Sequence, residues 1–296
     1  METIDYKKLA QEALEDHRKA RVYNFRLFLK KKLAVSSALV LVIIMVSALF
    51  APWVAPYPDQ GRGAVNLEDR LLPFSKTDFL GTDIFGRDLL SRVIFGARVS
   101  VFGGFFIVIM AALIGVPLGL WAGYREGVPG AIIMRTVELV LSFPSALVAM
   151  GIAIIVGAGS MTALIALVIP WCPWYTRMVQ GEVLSLKNML YIEAAQMLGY
   201  GRFYIHFRHL LPNILTPVIV LMLLDVGPAI IAIGVLSFLG LGTQPPHADW
   251  GLMVWNGSQN LLGEWWRAIV PGFAIYLLVT AFNIFVDALK ETLHPH

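Results

Sequence analysis

Cysteine is almost absent. Cys172 is the only one in 296 residues, which excludes an intrachain disulfide framework and any multi-cysteine zinc or iron–sulfur site. Charge is scarce too, at 15% of residues against about 25% in an ordinary soluble domain. Of 23 basic and 20 acidic residues, 14 lie in residues 1–32 and 12 in 53–98, leaving 17 for the 198 residues from Val99 onward. So few charges cannot cover a globular surface, which argues against a soluble enzyme, and 57% apolar residues argue against disorder. The pair Gly-Lys never occurs, so there is no phosphate loop, and H-E-x-x-H and G-x-S-x-G are missing as well. No metal-ligand cluster and no catalytic constellation is visible. Uphill work by this chain would draw on an ion gradient or on a partner.

Long apolar runs are what the chain has in abundance. A span needs about 20 apolar residues, because a helix rises about 1.5 Å per residue through a hydrocarbon core about 30 Å thick. Residues 33–52 form one such run; the 32 residues ahead of it are too many and too charged for a cleaved leader, so it reads as an anchor. Further runs lie at 99–124, 131–156, 161–179, 213–239 and 268–286, the third and fourth separated by Gly157-Ala158-Gly159-Ser160. The expected fold is therefore an all-α integral membrane protein with six transmembrane helices and both termini on one side. Placing the N-terminus in the cytoplasm gives 16 of the 23 basic residues to inside segments and 7 to outside segments, as the positive-inside rule requires. Nine of the 23 precede the first span, so membrane orientation rather than nucleic acid explains the net charge of +3. The expected organisation is a basic cytoplasmic tail (1–32), a first span (33–52), an extracytoplasmic loop (53–98), a five-helix core (99–289) with an inner loop at 181–212, and a cytoplasmic tail (290–296).

Some features within the spans have plain packing explanations. Gly115, Gly119 and Gly123 share one helix face and allow close approach of a neighbour. Pro117, Pro170 and Pro173 should kink their helices. Trp53, Trp121, Trp250, Trp255, Trp265 and Trp266 fall near span ends, where an interfacial belt would place them. Glu138 and Asp225 stand inside spans three and five, and buried acids in lipid are functional candidates by default. Arg135, one helical turn before Glu138, can neutralise it; Asp225 has no basic residue in reach along its own helix.

The inner loop between spans four and five holds Glu193-Ala194-Ala195-Gln196-Met197-Leu198-Gly199, then Phe207-Arg208-His209-Leu210-Leu211-Pro212-Asn213. Residues 189–198 favour a helix, Gly199 suits a left-handed C-terminal cap, 200–210 favour another turn or two, and Pro212 suits a helix start. Read alone, this elbow is an amphipathic surface helix with a glycine stop.

Here the sequence resembles the membrane permeases of bacterial ABC importers, whose loop signature is E-A-A, three residues, G, nine residues, I-x-L-P. Glu193, Ala194, Ala195, Gly199, Leu211 and Pro212 match it. His209 replaces the isoleucine, and Arg208, His209 and Asn213 fit the dipeptide/oligopeptide/nickel branch. Two further stretches resemble the C-type permease subunit of that branch: Leu80-Gly81-Thr82-Asp83-Ile84-Phe85-Gly86-Arg87-Asp88, and Ser237-Phe238-Leu239-Gly240-Leu241-Gly242 with Trp250-Gly251 downstream. Glu138 departs from that branch, which commonly has Asp there. The resemblance covers about residues 30–289.

The resemblance implies a non-catalytic subunit in a bacterial inner membrane, forming half of a translocation pathway for short peptides. Its implied partners are a second permease, two cytoplasmic ATPases that bind ATP and Mg²⁺, an extracytoplasmic binding protein, and lipid; the chain itself would bind no cofactor. The elbow would be the coupling helix between helices 4 and 5, seated on an ATPase. Gly81, Asp83, Gly86, Arg87 and Asp88 would belong to the docking surface for the binding protein, and Asp225 and Glu138 would be candidates for the pathway. Nickel or glutathione carriage in the same branch is an alternative. So is an ion-coupled secondary transporter using Glu138 and Asp225, although neither half of the chain visibly repeats the other.

Overall fold

The computed structural model describes residues 29, 31–125 and 127–293, so most of the expected tail at 1–32 and the end of that at 290–296 lie outside the described residues. Among the described residues the regular structure is helical, apart from one isolated bridge between Thr82 and Asp88. The main helices are α1 (Lys32–Leu49), α2 (Leu89–Tyr124), α3 (Val128–Leu141), α4 (Ser145–Val156), α5 (Ser160–Leu186), α6 (Leu190–Met197), α7 (Leu211–Phe238), α8 (Trp250–Ser258) and α9 (Trp266–Leu293).

The bundle is built around α2 and α5. Their contact follows the glycine stripe: a Cβ added at Gly115 would lie 2.7 Å from the Cys172 carbonyl oxygen, one at Gly119 2.6 Å from that of Thr176, and one at Gly123 2.8 Å from the Val183 side chain. Both sets of numbers rise together, so the two helices run parallel with their backbones nearly touching. Gly103 and Gly104 press instead against Ile233 and Ile230, which makes α7 antiparallel to α2. Lys31, at the start of α1, pairs with Glu291, near the end of α9. The start of α1 and the end of α9 therefore share one end of the bundle.

Three expectations need correction. First, the helix expected from residue 99 begins at Leu89. The Asp88 carboxylate accepts the Ser91 amide at 2.7 Å and starts α2 ten residues early. At 36 residues α2 is about 54 Å long, more than the hydrocarbon core. Second, the expected span at 131–156 is two helices, α3 and α4, bent by 91°. Pro144 has no amide to donate and disfavours helical geometry at Phe143, so the chain breaks between Leu141 and Ser145. By length and composition four helices can cross a membrane, or five if the bent pair is one span. α5 has the length, 27 residues, but Pro170, Pro173, Arg177 and Glu182 lower its apolarity. Third, Trp250 does not belong to an interfacial belt. It is buried, and its indole Nε1 donates to the Val93 carbonyl at 2.8 Å. It opens α8, a short helix within the expected outer segment at 240–267, packed among α7, α9 and the start of α2.

Candidate functional site

The elbow forms as the local sequence dictates. α6 buries Ile192 and Ala195 against the bundle and leaves Glu193 and Ala194 exposed. Gly199 adopts φ +79°, its amide donates to the Gln196 carbonyl at 2.9 Å, and the Tyr200 amide donates to that of Ala195 at 3.2 Å. That pair of bonds closes the helix in the manner that favours glycine. The next turns begin at Arg202 and pass through a π-helical stretch, Ile205–Leu210, straight into α7. Pro212 therefore does not open a separate helix. The Leu211 amide reaches five residues back to His206, so the proline, which has no amide, falls where the winding changes. Leu211 is half-buried and Pro212 exposed.

The elbow is fastened to the end of α2. Gln196 Nε2 donates to the Tyr124 hydroxyl at 3.4 Å, and the Tyr124 and His206 rings meet edge to face, with centroids 4.5 Å apart. Away from the bundle it presents Leu190, Met197, Leu198 and Phe203, each more than three-quarters exposed. Behind it lies a groove of about 1180 Å³ bordered by Trp121, Arg125, Lys187, Glu193, Tyr200 and Phe203.

The residues expected to receive a binding protein are placed differently from a simple surface. Gly81, Asp83, Gly86, Arg87 and Asp88 are all buried. Asp83 accepts from Arg87 Nε at 2.8 Å through one carboxylate oxygen, and from the Phe85 and Arg87 amides at 2.8 and 3.1 Å through the other. The exposed surface of this loop consists instead of neighbours such as Leu67, Phe74 and Phe79. No role was expected of Arg92, which is 2% exposed beside Asp83, or of Asp249, which caps α8. A charged residue in the first turn of a long apolar helix was the available signal for Arg92.

The two acids expected inside spans differ. Glu138 is exposed on α3 and pairs with Arg135 at 3.0 Å. Asp225 is half-buried in α7 and faces the buried hydroxyl of Tyr175 on α5. The structure does not bring Glu138 and Asp225 into one site through any hydrogen bond or ion pair among the described residues. Those residues also contain no group of three or more His, Cys, Asp or Glu able to hold a metal ion.

Residues 115–296 match the family model for the binding-protein-dependent transport system inner membrane component, and 23–73 match that for the N-terminal transmembrane domain of oligopeptide transport permease C. The chain belongs to the binding-protein-dependent transport permeases. It is 39% identical to a "probable D,D-dipeptide transport system permease protein" of Escherichia coli, over 89% of this chain and 87% of that one. It is 38% identical to a di/tripeptide transport permease of Pseudomonas aeruginosa, over 90% of this chain and 89% of that one. A glutathione transport permease of Pectobacterium atrosepticum is 37% identical over 92% and 89%. Among solved structures, a chain of the MetNI methionine ABC transporter in inward-facing conformations superimposes with a TM-score of 0.51 at 19% identity, covering 68% of this chain and 97% of that one. At that identity the likeness concerns the fold alone. The chain is thus a multi-pass inner-membrane permease component, a class whose members work with ATPases, a binding protein and a second permease.

Proposed function

We propose that this chain is one of two permease subunits in an ABC importer for short peptides, crossing the membrane six times with both ends in the cytoplasm. The observation that carries the half-pathway reading is the break between α3 and α4. A broken helix leaves backbone groups unpaired, and in hydrocarbon these are tolerated only where protein covers them or where they line a water-filled cavity. Residues 142–147 are all exposed in this chain, which supports a second subunit or an aqueous pathway meeting them. Glu138, one turn before the break on the open face, is the better candidate for the pathway. Asp225, turned toward Tyr175, is the better candidate for a tie between α5 and α7.

The peptide assignment is supported by the relatives that carry dipeptides and tripeptides; glutathione, itself a tripeptide, is the second reading, favoured by the relatives that carry it. Energy would come from ATP and Mg²⁺ on the partner ATPases, engaged through Glu193, Ala194 and the exposed apolar rim of the elbow. Ala195 faces the bundle and would fix the seat of α6 rather than touch the partner.

The test is uptake into proteoliposomes holding the complete complex, with L-alanyl-L-alanine, glutathione and Ni²⁺ offered in turn on the binding protein. ATP-dependent uptake of the dipeptide is expected. Uptake driven by a proton gradient through this chain alone would replace the proposal with a secondary transporter.

A further inference from the structure

The buried charges at one end of the bundle tie together four segments distant in sequence: 57–60, 83–96, 246–250 and 256–267. Arg92, in the first turn of α2, donates from Nη1 to the Pro246 carbonyl and from Nη2 to that of His247, both at 3.1 Å. Its Nε lies 3.5 Å from the Asp83 carboxylate. Arg87 holds the same carboxylate oxygen at 2.7 Å through Nη2 and reaches the Pro246 carbonyl at 3.4 Å. One turn on, Trp250 of α8 donates to the Val93 carbonyl, and a Cβ at Gly96 would lie 2.8 Å from its ring. On the other side Gln60 accepts the Asp88 amide at 2.7 Å, and Ser91 Oγ accepts the Tyr57 amide at 2.9 Å. A cavity of only about 20 Å³, bordered by Asp83, Arg92, Asn256 and Arg267, brings the first turn of α9 against the same knot.

For stability alone this is an uneconomical arrangement. Two guanidinium groups share one buried carboxylate, and a well-packed apolar plug of the same volume generally stabilises at least as well. What a plug lacks is direction. A guanidinium is a planar fork, and that of Arg92 spans two consecutive carbonyls in a single orientation; a lysine ammonium cannot bridge both while keeping Asp83. The bonds thus fix the register of residues 245–247 against the start of α2, and α8 follows because Asp249 and Trp250 come directly after.

We propose that Arg92, held by the Asp83 carboxylate that Arg87 fixes in place, is a positioning residue that joins the outer loop, the start of α2 and α8 into one rigid platform, so that a binding protein landing on the loop displaces α2 and α9 together. The inference rests on the reading that a binding protein docks at this face. Direct contact is not required of the buried knot itself: its work is to keep exposed neighbours such as Phe79 in fixed relation to the helices below.

The experiment uses the complete complex in nanodiscs. ATPase activity is measured without binding protein and over a concentration series of binding protein, saturated with whichever of the three candidates the uptake assay selects. In Arg92→Lys, which keeps the charge but loses the fork, assembly and unstimulated ATPase should stay within about twofold of wild type. The half-maximal binding-protein concentration should rise at least tenfold. Trp250→Phe, which removes one bond across the same junction while preserving bulk, should shift it roughly threefold in the same direction. Stimulation curves that superimpose on wild type would overturn the inference. So would a loss of assembly and unstimulated activity in both variants, because the knot would then serve folding alone. A wild-type complex that binding protein fails to stimulate would overturn the docking reading, and this inference with it.

Discussion

Asp249 shows how much one carboxylate can be asked to do. It is 1% exposed; Oδ1 accepts the Leu252 amide at 3.0 Å and so caps α8, while Oδ2 accepts the Thr243 hydroxyl at 3.2 Å. Thr243 in turn accepts from Ser160 at the start of α5, at 3.1 Å. Burial pushes this carboxyl above the usual range, against the opposing pull of its hydrogen bonds. A raised folded-state pKa favours the protonated form in the fold. The stability it carries is therefore complete below the unfolded value of about 4 and is lost as pH rises through the folded one. Asp249→Asn keeps a capping oxygen and cannot ionise. Its melting temperature in the purified complex should gain on wild type between about pH 4 and pH 8, and a constant difference across that range would refute the assignment. Asp249→Ala should be less stable than Asn by about 1 kcal/mol, the usual worth of a cap. The Asp-Trp-Gly-Leu string was readable in the sequence as a possible helix start. Its placement far from any recognised span hid that meaning, because capping is local while the burial that shifts the carboxyl comes from the packing of α7, α9 and the start of α2 around α8.

At the scale of elements, the contact of α2 with α5 is the one most exposed to a single change. Each of Gly115, Gly119 and Gly123 has a neighbour closer than 3.0 Å to any added Cβ, and at Gly119 one neighbour is a backbone oxygen that no rotamer change can move. Overpacking a fitted core costs about 1–3 kcal/mol, and a side chain as long as leucine should separate the helices outright. Gly119→Leu is expected to abolish accumulation of the assembled complex, whereas Gly151→Leu, with open space around its Cβ, should accumulate normally. Equal yields of the two, read by quantitative blotting of membranes, would contradict this packing. The stripe itself was legible from four-residue spacing alone. The break between α3 and α4 was less so: the uncharged run continues through Ser142-Phe143-Pro144, and composition cannot distinguish a kinked helix from a right-angle turn.

For the whole molecule the decisive property is incompleteness. The helix break is exposed, the elbow ends in an apolar rim, and Glu138 is exposed on α3; under the proposed function these are the surfaces that other subunits finish. In a chain whose Cys172 is replaced by serine, Phe143→Cys should react with a membrane-impermeant maleimide or cross-link to the second permease in the intact complex. A thiol reached only by lipid-soluble reagents would mean that the break faces hydrocarbon and that the half-pathway reading is wrong.

Apolar length and the Glu193–Gly199 motif were enough to point to the class, the approximate helices and the elbow with its left-handed glycine, since each depends on neighbours a few residues away. Tertiary structure alone decided that Asp83 and Arg87 turn inward, that Trp250 is a core residue rather than a membrane anchor, and that Asp225 faces Tyr175. The reason is physical: a charge can be buried only when its partners arrive, and the carbonyls that receive Arg92 lie 154 and 155 residues further along the chain. Such pairing leaves no local periodicity in the sequence, and it appears only when the helices close.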